Sequence, residues 1–217
     1  MKKASKTGKQ ELLIPLVDYQ RIYRVICGVL DGRINAPQAC IFFSIVGSAI
    51  LEMKYKIKAT PIAGFTAILV NRDADFAAYF GEINEGVVTS NEDRFHCWID
   101  CDGMIIDFMS PLFQESIKIY GHEIRVPRKM FQKRVEHMAP SINHLHEEGD
   151  FYLLANPNLT MSVFNSFNNK LANGDLAQVC LDWFEKPPRA LNNISMKDDL
   201  GNIHSLSLKG SPIEGVW

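Results

Sequence analysis

The stretch Arg94-Phe95-His96-Cys97-Trp98-Ile99-Asp100-Cys101-Asp102-Gly103-Met104-Ile105-Ile106-Asp107-Phe108-Met109 decides how this chain reads. An Asp-Gly pair between two apolar runs marks a two-residue hairpin turn, because both central residues of the favoured turn take positive φ. A turn at Asp102-Gly103 sets residue 101 opposite 104, 98 opposite 107 and 96 opposite 109. Side chains alternate across a strand. One face of the ribbon therefore carries His96, Trp98, Asp100, Ile105, Asp107 and Met109. The other carries Phe95, Cys97, Ile99, Cys101, Met104, Ile106 and Phe108, and reads as core. His96 and Asp107 become diagonal neighbours, with backbones roughly 7–8 Å apart. An aspartate that orients an imidazole is half of a nucleophilic triad.

Upstream of the hairpin, Asn35-Ala36-Pro37 reads as a helix start, a capping residue with proline behind it. The helix expected over about 37–54 carries Ile41, Phe42, Ile45, Val46, Ala49, Ile50 and Met53 as a broad apolar stripe. Ser44, Gly47 and Ser48 permit close approach to a neighbour. Cys40 falls in the first turn, where unpaired N–H groups and the helix dipole favour a thiolate. The parts of a triad are then Cys40 as nucleophile, His96 as proton carrier and Asp107 as the group that holds the ring. Backbone N–H groups at the helix start are candidate oxyanion donors. Gln38 or Asn35 could add a side-chain donor, and Trp98 could flank a cleft.

This arrangement resembles the transglutaminase-like group of papain-like cysteine enzymes. The resemblance rests on Ala39-Cys40, His96-Cys97-Trp98 and Ile105-Ile106-Asp107, and spans roughly residues 36–110. It departs from the group at position 41, where isoleucine stands in place of the tryptophan frequent after the nucleophile. It implies Cys-His-Asp acyl chemistry on an amide or thioester, without cofactor, in peptidases, deamidases, transglutaminases or, by wider kinship, arylamine acetyltransferases. The substrate would be a peptide, a protein or a small amide or thioester. An uncharacterised bacterial branch of the group fits the departure.

The order of elements suggests an α+β fold, an antiparallel sheet packed on the buried helix that carries the cysteine. Residues 11–31 read as a helix with Pro15 in its first turn, and 58–70 as a strand. A second strand is expected near 76–83, a short helix over 112–119 and a basic-surfaced helix over 128–138. A strand follows at 151–155, then two helices over 160–184 broken at Asn173-Gly174, and a strand at 204–208. The 217 residues read as a single domain, with a catalytic-like core over about 11–125 and a helical, loop-rich extension over about 126–217.

A hydrophobic fraction of 47% with 22% charged residues is ordinary for a globular protein, and the net charge of −2 offers no footprint for nucleic acid. No apolar run reaches the length of a membrane span. The basic start is too quickly followed by polar residues to be a signal peptide. Five cysteines without an even framework favour reduced thiols and a cytoplasmic setting.

Blander readings compete with the triad. Cys40 could be a small buried hydrophobe. His96 and Asp107 could lie on a solvated hairpin face, with Asp100 as a rival partner for the histidine. The chain could be an inactive papain-like binding module. Cys97 and Cys101 could serve a redox or metal site, although alternation points His96 away from them and a structural zinc needs four converging ligands. His144 and His146 read as a solvated loop, and Cys27 and Cys180 as core.

Overall fold

A computed structural model describes residues 12–31, 39–186, 194–197, 201–206 and 212–217. It is an α+β fold with a mostly antiparallel sheet. Helix α1 runs over Leu16–Leu30 after Pro15, and buries Tyr19, Ile22, Val25, Ile26 and Val29 along one stripe. Helix α2 runs over Cys40–Ile50 and continues as a π-turn, Leu51–Tyr55, closed by Lys56 at φ 58°. Its apolar residues surround it, as expected of a helix covered on all sides. Each Phe or Ile so buried contributes about 1.5–3 kcal/mol.

The main sheet is built from β1 (Thr60–Asn71), β2 (Phe76–Phe80), β5 (His96–Cys101), β6 (Met104–Asp107), β7 (Lys129–Arg134), β8 (Phe151–Ala155) and β11 (Gly215–Val216). The long strand β1 organises it. Thr60–Gly64 pair with β5, Thr66–Asn71 with β2, and Gly64–Ile68 with β8. β6 and β7 continue antiparallel from β5, and β11 joins β7 in parallel. Two small ribbons, β3 (Glu82–Asn84) with β4 (Val87–Thr89) and β9 (Ile194–Lys197) with β10 (Ile203–Leu206), stand apart.

The sheet curls strongly. Phe131 of β7 and Phe151 of β8 meet edge to face with ring centroids 5.2 Å apart, and Lys133 donates to the Gly149 carbonyl at 2.6 Å. The enclosed face holds Thr66, Ile68, Trp98, Ile105, Phe131 and Leu153 around a void of about 10 Å³, room for at most one water. Helix α2 lies on the outer face. A Cβ at Gly47 would meet Phe108 Cδ2 at 2.4 Å and Ile99 Cδ1 at 3.0 Å. Glycine is therefore what lets helix and hairpin come this close. The short helix α3 (Phe113–Ile119) follows the hairpin, and helices α4 (Pro157–Asn168) and α5 (Leu171–Glu185) complete the cover, α4 against β1 and α5 against α1 and α2.

The hairpin forms as expected. Asp102 and Gly103 both have positive φ, 50° and 86°, and Cys101 pairs with Met104. Asp100 accepts from Gly103 N–H at 2.9 Å and so closes the turn instead of serving His96. Both faces of the ribbon are buried, which removes the solvated-face reading: His96 is 1% exposed, Trp98 3% and Asp107 5%.

Several expectations need correction. Residues 128–138 are not a helix: they form β7 and a short 3-10 turn, Val135–His137. The helix break lies at Asn169-Lys170, and Asn173-Gly174 sits in the first turn of α5. There Asn173 donates from its side chain to Phe167 O at 2.9 Å, clasping the end of α4. Strands β7 and β8 complete the sheet begun by β1, β5 and β6, so the expected division near residue 125 does not divide the sheet. The cap expected at Asn35 lies outside the described residues, as does Gln38.

Candidate active site

Cys40 is the first residue of α2, directly after Ala39. Phe43 N–H is bonded to Ala39 O at 3.1 Å. The N–H groups of the turn before it have no carbonyl of their own helix, and the positive end of the dipole is there. His96 opens β5 and Asp107 closes β6, so the hairpin register brings them to one face. His96 Nε2 lies 2.8 Å from Asp107 Oδ2. The other carboxylate oxygen accepts from Met109 N–H at 2.8 Å, which fixes the group's orientation. His96 Nδ1 is buried with no hydrogen-bond partner of regular geometry among the described residues. With Nε2 committed to Asp107, Nδ1 is the nitrogen left to serve a thiol.

That thiol is Cys40. A hydrogen bond from Cys97 and the adjacent His96 ring hold it well below the ordinary thiol range, against the opposing effect of burial. Burial disfavours the charged form of His96, but Asp107 first and Cys40 second outweigh it and raise the ring well above the ordinary imidazole range. Both shifts favour the charged forms, a thiolate on Cys40 and an imidazolium on His96 beside the Asp107 carboxylate. Cys97 moves the other way: burial and the neighbouring Cys40 sulfur keep it a protonated thiol. Cys27, Cys101 and Cys180 are likewise pushed up by burial.

Aromatic rings close around the histidine. Phe80 lies 4.8 Å and Phe113 5.6 Å from it, centroid to centroid. This apolar wall strengthens the electrostatics within it by excluding water. Tyr19 of α1 donates its hydroxyl to the Asp107 backbone carbonyl and sits 3.1 Å from Ser110 Oγ, which donates to Lys129 O at 2.9 Å. The network ties α1 and β7 to the strand end that carries the carboxylate. Sequence patterns gave no sign of Tyr19, Phe80 or Phe113, because each reaches the site from a separate element, nor of Cys97, whose part depends on α2 packing over β5.

Trp98 is packed within the curled sheet, where it lines the same small void as His96 and Asp107 and where a Cβ on Gly64 would approach its ring to 2.9 Å. The surface next to the triad is a groove of about 240 Å³ lined by Ile41, Phe95, Val163, Phe167, Ser166 and Lys170, among others. Ile41 and Phe95 are the chain neighbours of Cys40 and His96, although Cys40, His96 and Asp107 do not themselves line this groove. A second hollow of about 320 Å³ lies across Phe95, between Tyr79, Phe80, Arg94 and Tyr120. Among the described residues no three His, Cys, Asp or Glu side chains gather as a metal site. His144 is exposed and bonds Ser141 at 2.8 Å.

No curated protein matches this chain. A crystal structure described only as a genomics target is similar over 97% of this chain and 100% of its own, with 36% sequence identity and a TM-score of 0.81. A family profile described as "Protein of unknown function (DUF2026)" matches residues 15–217, and the chain belongs to that family.

Proposed function

We propose that this protein is a cysteine hydrolase or acyltransferase of papain-like, transglutaminase-like architecture, working through Cys40, His96 and Asp107. The observation that carries the proposal is the 2.8 Å bond between His96 Nε2 and Asp107 Oδ2 in a buried site that also holds Cys40. The Cys40 thiolate attacks the carbonyl carbon of an amide or thioester, and the carbonyl electrons move to oxygen. Backbone N–H groups at the start of α2 steady that oxyanion. Collapse breaks the bond to the amine or thiol, which leaves with the proton from His96. Water or an acceptor amine then gives its proton to His96, attacks the acyl-enzyme and frees Cys40. Asp107 keeps the ring oriented and supports its positive charge.

The groove beside Ile41 and Phe95 suits an extended substrate, a peptide, a protein segment or a small amide or thioester, with apolar and polar walls to grip it. A reducing, cytoplasmic setting accords with five cysteines that are all free thiols. Among the described residues no helix is long and apolar enough to cross a membrane.

One observation favours a second reading, a binding module that retains the fold without turnover: Cys40 is only 6% exposed. A screen over peptide amides, glutamine peptides and acyl thioesters, run on wild type and Cys40→Ala together, tests the proposal. Turnover in wild type that is lost in Cys40→Ala supports the enzyme. Turnover equal in both contradicts the mechanism. Peptide binding that survives all of Cys40→Ala, His96→Ala and Asp107→Asn, with no turnover, favours the binding module.

A further inference from the structure

Cys97 takes no part in the acyl chemistry, yet it is placed where a second thiol has consequences. Cys40 and Ser44 are four residues apart on one face of α2. Helix α2 packs on β5, whose outer face carries Cys97, and the Cys40 and Cys97 thiols each shift the other's titration, with Ser44 acting on Cys97 as well. Further along the same pair of elements, Gly47 sits over Ile99 with no room for a Cβ. Helix α2 and strand β5 are therefore in close contact along this stretch. A disulfide asks for that approach, with Cα atoms within about 7 Å. All three groups are buried, away from competing water.

We propose that Cys97 is the resolving thiol of Cys40, and that hydrogen peroxide converts the pair to an intramolecular disulfide that reversibly closes the site. In the first step the Cys40 thiolate attacks the peroxide. An S–O bond forms, the O–O bond breaks, and the departing hydroxide takes a proton from His96 and leaves as water. Cys40 is now a sulfenic acid, and the peroxide has been reduced. In the second step the Cys97 sulfur displaces the hydroxyl. An S–S bond forms, and the Cys97 proton leaves with the hydroxyl as a second water. Oxidation of Cys40 removes the negative charge that had added to burial in keeping Cys97 protonated, so the first step eases the second. The disulfide shields Cys40 from further, irreversible oxidation, and thiol reductants restore it by exchange. The pair is distinct from Cys97 with Cys101, which lie four residues apart on one strand.

The inference rests on Cys40 being a reactive thiolate and not on acyl transfer, so a protein without hydrolase activity could still satisfy it. The test is mass analysis of the intact protein after hydrogen peroxide treatment, followed by peptide mapping without reductant. The expected result is loss of a pair of hydrogens, a cross-linked peptide containing Cys40 and Cys97, and full return to the starting mass with dithiothreitol. In Cys97→Ser, dimedone should trap a sulfenic acid at Cys40 that does not accumulate in wild type. Three results would overturn the inference: a Cys40 that gains oxygens in wild type while Cys97 stays free, equal dimedone trapping in wild type and Cys97→Ser, or a Cys40 untouched by peroxide.

Discussion

His96 and Asp107 stand eleven residues apart in the chain and 2.8 Å apart in space, joined across a hairpin whose turn they do not touch. The register set at Asp102-Gly103 makes the pair, and a slip of one residue would send the two side chains to opposite faces. Because both are buried, the aspartate cannot be removed without leaving a charged or unpartnered imidazole behind. Asp107→Ala should lower unfolding free energy by about 3–5 kcal/mol, read from urea melts. Asp107→Asn, which keeps the shape, should cost clearly less.

Tyr19 joins α1 to the same strand end. Tyr19→Phe deletes a hydroxyl whose partners, the Asp107 carbonyl and Ser110 Oγ, are both buried. Leaving such groups unsatisfied costs about 1–3 kcal/mol. Thermal melts should show the loss, and the alkylation rate of Cys40 should change with it if the tyrosine positions the carboxylate. A melt unchanged by Tyr19→Phe would contradict the network.

Gly47→Ala tests the seat of the helix. Alanine is the better helix former, and in an exposed helix the change would stabilise. Here the new Cβ would lie 2.4 Å from the Phe108 ring. Overpacking of this kind costs about 1–3 kcal/mol, so the variant should melt below wild type. A variant that melts above it would mean that the helix has room to move away.

The hairpin and the apolar helix that carries Cys40 were legible because their signals are local, whereas the start expected at Asn35-Ala36-Pro37 lies outside the described residues. Asp102-Gly103 needs only its own φ values, and the apolar run from Cys40 to Ile50 needs only its own pattern. Strand β7 was not legible, since Lys129, Lys133 and Arg134 resemble the charged face of a helix. Its central Gln132 is fully buried and bonds both the N–H and the carbonyl of Ile14, at 3.0 and 2.9 Å. A partner 118 positions away leaves no mark on nearby sequence. The two-sided burial of the hairpin was hidden for a related reason: alternation distinguishes faces but does not reveal that the sheet curls until Phe131 reaches Phe151. At the site, the pairing of His96 with Asp107 could be expected from the turn, while the placing of Phe80, Phe113 and Tyr19 around it required the folded chain.

The roles assigned to the triad rank its variants. Cys40→Ala and His96→Ala should abolish turnover, since they remove the attacking atom and the proton carrier. Asp107→Asn should retain a residue of activity, falling on the order of 10²–10⁴-fold, because orientation and charge support are lost while the reacting groups remain. Steady-state rates on a substrate found in the screen give the order directly. Asp107→Asn as damaging as Cys40→Ala would assign the carboxylate a different role.

The most direct test of the thiolate–imidazolium pair is the rate of iodoacetamide alkylation of each cysteine as a function of pH, mapped by peptide mass, in wild type and His96→Ala. A lowered thiol keeps its thiolate as pH falls, and loses it only once pH drops through its own folded value. Cys40 should therefore react in wild type at pH values well below the ordinary thiol midpoint of about 8.5, while Cys27, Cys97, Cys101 and Cys180 stay silent there. In His96→Ala the midpoint for Cys40 should move upward. A Cys40 that is silent at every pH in the folded protein, or one whose profile is the same with and without His96, would contradict the account.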